Sequence, residues 1–113
     1  NVPLWRQRTY GITPMSAATL LNAAQRDTVG LEVVLRVIGT REAPADMVVQ
    51  ISIIGTAQVR IQGRITRDAP WLDIGPVHST SALVHVKAVQ FLRALACEVQ
   101  EGAKVSAWAD WAW

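Results

Sequence analysis

The side chains of this 113-residue chain that could carry chemistry are few and scattered. His78 and His85 are the two histidines, and Cys97 is the one cysteine. Nucleophilic catalysis needs a Ser or Cys beside a His, in a setting such as G-x-S-x-G, and Ser79 and Ser81 have no such setting. One cysteine cannot form an internal disulfide, and its apolar surroundings favour a buried, inert thiol. The sequence therefore predicts that the protein is not an enzyme.

A metal site is not indicated either. Three or four ligands must converge on an ion, whereas the two histidines are seven residues apart with no carboxylate or cysteine at ligand spacing. Asp46, Asp68 and Asp73 lie beside turns, where Asp caps backbone groups, and no EF-hand-like run accompanies them. We expect no metal and no cofactor.

The composition favours protein partners over nucleic acid or membrane. Half of the residues are hydrophobic and only 18% are charged, so we expect other chains to cover part of the surface; the alternative is a domain with a rich core. The net charge is +2 and the basic residues form no block, so nucleic-acid binding is not expected. No segment reaches the roughly 18 apolar residues of a membrane span, and residues 1–15 lack the apolar core of a signal peptide.

The elements that must position these residues are strands. In residues 58–65, Gln58, Arg60, Gln62 and Arg64 alternate with apolar residues and Gly63, and a period of two places one face in a core and the other in a polar setting. Similar runs cover residues 31–38, 47–54, 83–89, 91–99 and 103–108, and a shorter strand is predicted at 71–74. Residues 16–25 fit a strand or a short helix, and residues 91–99 also tolerate a helix by propensity.

Seven or eight short strands joined by Gly, Pro and Asp turns predict an all-β, antiparallel β-sandwich or jelly roll. Residues 1–15 contain Pro3 and Pro14 and show no periodicity, so we expect an extended N-terminal arm. The sandwich is expected to span residues 16–108, and residues 109–113 are expected to form an aromatic C-terminal tail.

The order of segments resembles small β-sandwich virion proteins of tailed bacteriophages. The matching pieces are the run SAATLLNAAQ, two strands of the types V-x-I-x-G and V-x-(I/L)-x-G at residues 49–55 and 59–63, the segment WLDI at 71–74, and FLRA at 91–94. The resemblance favours a strand at residues 16–25. It implies a virion structural protein, of a group that decorates or cements capsids or forms tail and fibre pieces, with no catalytic residues.

Candidate contact residues lie near both ends of the chain. Trp and Arg dominate interface hot spots, so the arm residues Trp5, Arg6, Arg8 and Tyr10 suit docking onto a neighbour; folding back onto their own domain is the alternative. Near the C-terminus, Trp111 and Trp113 share one side of an extended chain and Trp108 lies on the other. Exposed indoles would be covered by a subunit, by a capsid or by the domain's own sheet, and a sugar-binding platform is a further alternative.

Two further sets of residues complete the interpretation. Arg60 and Arg64, with Gln58 and Gln62, would line one strand face and meet an acidic capsid surface, or remain a solvated polar face. Trp71 is expected to plug the end of the sandwich.

We therefore predict a capsid decoration protein on the virion surface, with the major capsid protein and copies of itself as partners, in a homo-oligomer or bound to the lattice. A tail or fibre module or a carbohydrate-binding module is the alternative.

Overall fold

The structure of the chain, a computed structural model, describes residues 18–35, 46–87 and 89–112. In these residues it contains strands and no helix, as expected for an all-β chain. The strands, numbered along the chain, are β1 Ala18–Ala24, β2 Thr28–Val29, β3 Val33–Val34, β4 Asp46–Ile54, β5 Gln58–Arg64, β6 Leu72–Asp73, β7 Ala82–Val86, β8 Phe91–Cys97 and β9 Lys104–Ala112.

The strands form two antiparallel sheets that pack together, consistent with a β-sandwich. The four-stranded sheet has the order β1-β9-β4-β7. The five-stranded sheet has the order β2-β8-β5-β6, and β3 also pairs with β8. Residues 1–15, which we expect to form an arm, lie outside the described residues.

The core forms where the two sheets face each other. Val49 and Ile51 of β4 pack in one cluster with Val59 and Ile61 of β5 and with Leu92 of β8, and all five are almost completely buried. Val49, Ile51, Val59 and Ile61 lie at the inward positions that the period of two predicts, so the faces of β4 and β5 were predicted correctly. Each such aliphatic side chain contributes about 1.5–3 kcal/mol when buried.

Strand β1 confirms the strand interpretation of residues 16–25 and departs from simple alternation. Its pairing with β9 shifts register twice, so Leu20 and Leu21 are both buried while Asn22 is exposed. Bulges of this kind place successive side chains on the same face. Ala23 adopts a left-handed φ of 51°, and its amide donates a 3.0 Å hydrogen bond to Ser106 Oγ.

One side of the sandwich is closed by residues 28–31, which connect the two sheets. The amide of Gly30 donates to the carbonyl of Ala94 in β8 at 2.8 Å, and the amide of Leu31 donates to the carbonyl of Leu20 in β1 at 3.0 Å. A Cβ on Gly30 would lie 2.3 Å from Leu20 O and 2.7 Å from Ala94 O, so only glycine fits there. On the opposite side, β6 and β7 are the last strands of their sheets.

Several boundaries differ from the sequence predictions. The strand expected at residues 31–38 is described only as the short β3, and residues 36–40 lie outside the described residues. The last strand continues past residue 108 to Ala112, paired with β4 throughout, so residues 109–112 belong to the sheet rather than to a separate tail. Cys97 is half-buried on the outer side of β8 rather than fully buried.

Candidate partner-binding surfaces

The outer side of the five-stranded sheet carries a cluster of arginines around one tryptophan. Arg64 of β5 and Arg93 of β8 place their guanidinium carbons 4.4 and 4.3 Å from the centre of the Trp71 ring. Arg64 and Arg67 also lie over the Phe91 ring, at 5.3 and 5.2 Å. These distances are typical of cation–π contacts. Trp71 therefore lies against the outer face of the five-stranded sheet, where it contacts Arg64 and Arg93. The prediction that it plugs the end of the sandwich was wrong.

A hydrogen-bonded row joins three strands beside this cluster. The side-chain oxygen Oε1 of Gln62 accepts from Arg93 Nε and Nη2 at 3.0 and 2.8 Å. The side-chain nitrogen Nε2 of Gln62 donates to Asp73 Oδ1 at 2.9 Å, and Arg60 Nη1 donates to Asp73 Oδ2 at 2.7 Å. The hydrogen bond from Gln62 is the largest influence on the pKa of Asp73, and with the charge and hydrogen bond of Arg60 it lowers that pKa despite partial desolvation.

The two arginines predicted as capsid contacts have different surroundings. Arg64 Nη2 lies 2.8 Å from Glu32 Oε1 and its Nη1 donates to the carbonyl of Arg67, so its side chain is only 16% exposed. The side chain of Arg60 is 43% exposed although it is paired with Asp73. A partner approaching this face would therefore meet Arg60 more readily than Arg64.

The outer side of the four-stranded sheet is more apolar. The register places Thr19, Trp108, Gln50 and Leu83 side by side on four neighbouring strands, and we call these residues the outer row. Leu83 is 72% exposed and Trp108 is 39% exposed. The next row contains Asp110, Val48 and His85. This surface combines two large apolar side chains with hydrogen-bonding groups.

The structure separates the predicted contact residues. Trp108 lies on the outer side of the four-stranded sheet and Arg60 and Arg64 lie on the outer side of the other sheet, so they cannot form one surface. Trp111 is half-buried and packs against the core, on the opposite side of β9 from Trp108, as the alternation predicted. The remaining contact residues, Trp5, Arg6, Arg8, Tyr10 and Trp113, lie outside the described residues.

Sequence reasoning missed three residues of these surfaces. Leu83 could have been found, because it alternates with the inward Val84 and therefore had to face outward. Arg93 and Trp71 gave no usable signal, because their contact joins segments that are 22 positions apart in sequence. The scattered arginines of the sequence come together only through the pairing of β5 with β8.

Two grooves of the described residues lie beside β1 and β7. The first, of about 510 Å³, is lined by residues 19–26 and 28–31, along β1 and the segment that closes the sandwich. The second, of about 430 Å³, lies between the end of β6 and strand β7, with Ile74, Val84, Val86 and Val89 among its lining residues. We call it the β6–β7 groove.

In the part of the chain that the structure describes, no three His, Cys, Asp or Glu side chains are grouped so that they could hold a metal ion. Across the same residues, no helix has the length and apolar character needed to cross a membrane. Comparisons of the chain with protein-family models, with curated proteins and with solved structures found no significant match.

Proposed function

We propose that this protein is a structural subunit of a bacteriophage virion that stabilises the capsid by packing onto the head lattice. The outer row is the observation that carries the proposal. It presents Trp108 and Leu83 on an open sheet face, and an exposed apolar surface of this kind is typical of protein contacts.

The energetics of such a contact suit a protein present in many copies. Burying a Leu side chain contributes about 1.5–3 kcal/mol, and Trp residues are frequent interface hot spots. Gln50, between the two apolar side chains, offers a hydrogen bond that fixes the orientation of a partner. A modest gain per copy is multiplied over a lattice when copies bind together. The order of the strand motifs, which resembles phage virion proteins, supports the capsid as the partner.

Cosedimentation with capsids tests the proposal. The purified chain would be mixed with shells of the phage whose genome encodes it, and the bound fraction measured after centrifugation. We expect L83S and W108S each to weaken binding at least tenfold, whereas I65S, which removes a side chain about as exposed as Leu83 but outside the outer row, leaves binding unchanged. Deletion of residues 1–15 is also expected to weaken binding. Wild-type protein that does not sediment with shells would refute the proposal.

A carbohydrate-binding module is the second candidate, because the Trp108 indole lies on a sheet face between two polar neighbours, Thr19 and Gln50. Sugars stack on aromatic rings and hydrogen-bond to such groups. The two functions differ in their dependence on Leu83. Glycan binding, followed by Trp fluorescence, would be lost in W108S and retained in L83S, whereas capsid binding needs both residues.

A further inference from the structure

Strand β7 is the least protected sheet edge in the described part of the chain. Proteins protect edges with very short strands, bulges, Pro, charged residues or covering segments. Strands β2, β3 and β6 have two residues each, and β1 is bulged and partly covered by Leu31. Strand β7 has five residues, Ala82–Val86, with no Pro, charge or bulge, and β4 is its one partner among the described strands.

The backbone groups that face the open edge of β7 can be identified. Both the amide and the carbonyl of Ile53 contact Ser81 Oγ, so Ile53 points its backbone groups towards the β7 side of β4. The direction of the backbone amide and carbonyl alternates from one residue to the next along a strand. The backbone groups of Val49 therefore also point towards β7, and those of its partner Val84 point back towards β4. Leu83 and His85 therefore direct their amides and carbonyls to the open edge.

From this geometry we infer that two copies of the chain pair through β7, edge to edge and antiparallel, about a two-fold axis at Val84. The register follows from the backbone groups. Leu83 lies opposite His85 of the second copy, and both residues have edge-facing groups, so the two exchange both hydrogen bonds. The two-fold axis repeats the exchange, which gives four hydrogen bonds. Val84 lies opposite Val84 of the second copy as the central non-hydrogen-bonded pair.

The side chains agree with this register. On the inner side, Val84 meets its own copy and Ala82 meets Val86, so three apolar contacts extend the core across the axis. On the outer side, Leu83 meets His85, and Ser81 meets Lys87, so no like charges lie opposite each other. The outer row would continue through Leu83 into the row of His85, Val48 and Asp110 in the second copy.

Pairing would also cover the part of the β6–β7 groove that β7 lines. Val84 and Val86 line that groove and are half-buried in the single chain. A second copy seated on the edge would shield them from water, which adds an apolar contribution to the backbone hydrogen bonds. The joined sheet would have eight strands, four from each copy. This inference goes beyond the proposed function, because pairing between copies does not depend on binding to the capsid.

Disulfide trapping tests the register. In a non-hydrogen-bonded antiparallel pair the Cα atoms lie about 4.5 Å apart, within the range that a disulfide bridges. In a C97S background, which removes the native thiol, V84C is expected to form a disulfide-linked dimer on mild oxidation. L72C, in the same background, places a thiol on the edge strand of the other sheet and is the matched control. Crosslinking of V84C that does not exceed that of L72C would overturn the inference.

Sedimentation of the unmodified chain tests the pairing independently. The expected mass is about 25 kDa, twice the 12.4 kDa of one chain. H85P removes an amide that faces the open edge and leaves the bonds between β7 and β4 intact, so it should keep its fold by circular dichroism and weaken dimerisation at least about tenfold. A wild-type monomer, or a dimer unaffected by H85P, contradicts the inference. A full-length chain that is monomeric and dimerises only after deletion of residues 1–15 also contradicts the inference, because those residues would then cover the edge of β7. A dimer that fails to bind capsids refutes the proposed function alone.

Discussion

The guanidinium carbon of Arg93 lies 4.3 Å from the centre of the Trp71 ring, and that of Arg64 lies 4.4 Å from the same centre. One indole therefore holds two cations from neighbouring strands of the five-stranded sheet. Such contacts contribute about 0.5–1 kcal/mol each at exposed sites and more when they are shielded from water. The arrangement ties the segment before β6 to both β5 and β8.

Replacing Trp71 should separate the packing of the indole from its contact with the cations. We expect W71A to lower the free energy of unfolding by about 2 kcal/mol, because the half-buried ring and both cation contacts are lost. W71F keeps an aromatic face, and a loss of about 1 kcal/mol is expected. Urea unfolding followed by far-UV circular dichroism measures both values. Equal losses in the two variants would show that the aromatic face contributes nothing.

The pKa of Asp73 predicts how stability changes in acid. Its pKa is lowered in the folded protein, so the ionised carboxylate favours folding. This contribution to stability is complete when the pH is above the unfolded pKa of about 3.8. This contribution is lost as the pH falls from that value through the lower folded pKa. We expect the free energy of unfolding to fall more steeply below pH 4 in the wild type than in D73N. Denaturant unfolding from pH 6 to pH 2 measures the two slopes, and identical slopes would contradict the expected role of Asp73.

Gly30 tests the closure of the sandwich. G30A introduces a Cβ into a space bounded by the carbonyl oxygens of Leu20 and Ala94, which cannot both move without separating the sheets. We expect a loss of about 3 kcal/mol, at the upper end of overpacking costs. G102A is the control, because Gly102 has a φ of 83° and open space around its Cβ, so the strained backbone alone costs about 1 kcal/mol. Thermal unfolding should rank G30A well below G102A, and the reverse order would be incompatible with the close approach at Gly30.

The bulge in β1 predicts effects of opposite sign at two neighbouring positions. Ala23 has a left-handed φ, which costs an L-residue about 1–2 kcal/mol. Glycine adopts this φ without a steric cost, but its greater loss of backbone entropy on folding costs about 0.5–1 kcal/mol relative to alanine. We therefore expect A23G to stabilise the protein by about 0.5 kcal/mol.

The neighbouring A24G should destabilise the protein by about 1 kcal/mol, because Ala24 packs against the core. S106A, which removes the acceptor of the Ala23 amide, should cost about 0.5–1 kcal/mol. Chemical denaturation of the three variants measures these differences, and destabilisation by A23G would show that the conformation of Ala23 is not strained.

Much of the fold could be read from local patterns. Val49 and Ile51, or Val59 and Ile61, are separated by one polar residue, so a strand must place both of each pair on the same side. The same rule separates Trp108 from Trp111. The rule fails at β1, because a bulge changes which residues are neighbours on a face, and bulges depend on the partner strand.

The sequence by itself determined that the chain forms strands and which side of most strands is apolar, because side-chain direction along a strand depends only on local geometry. Tertiary structure alone decided which strands are neighbours, since pairing joins segments far apart in the chain. That pairing gathers the scattered Arg60, Arg64 and Arg93 onto one outer face and places Trp108 and Leu83 in one row on the other. It also leaves β7 as an edge, a property of its position in the sheet that no local pattern of residues specifies.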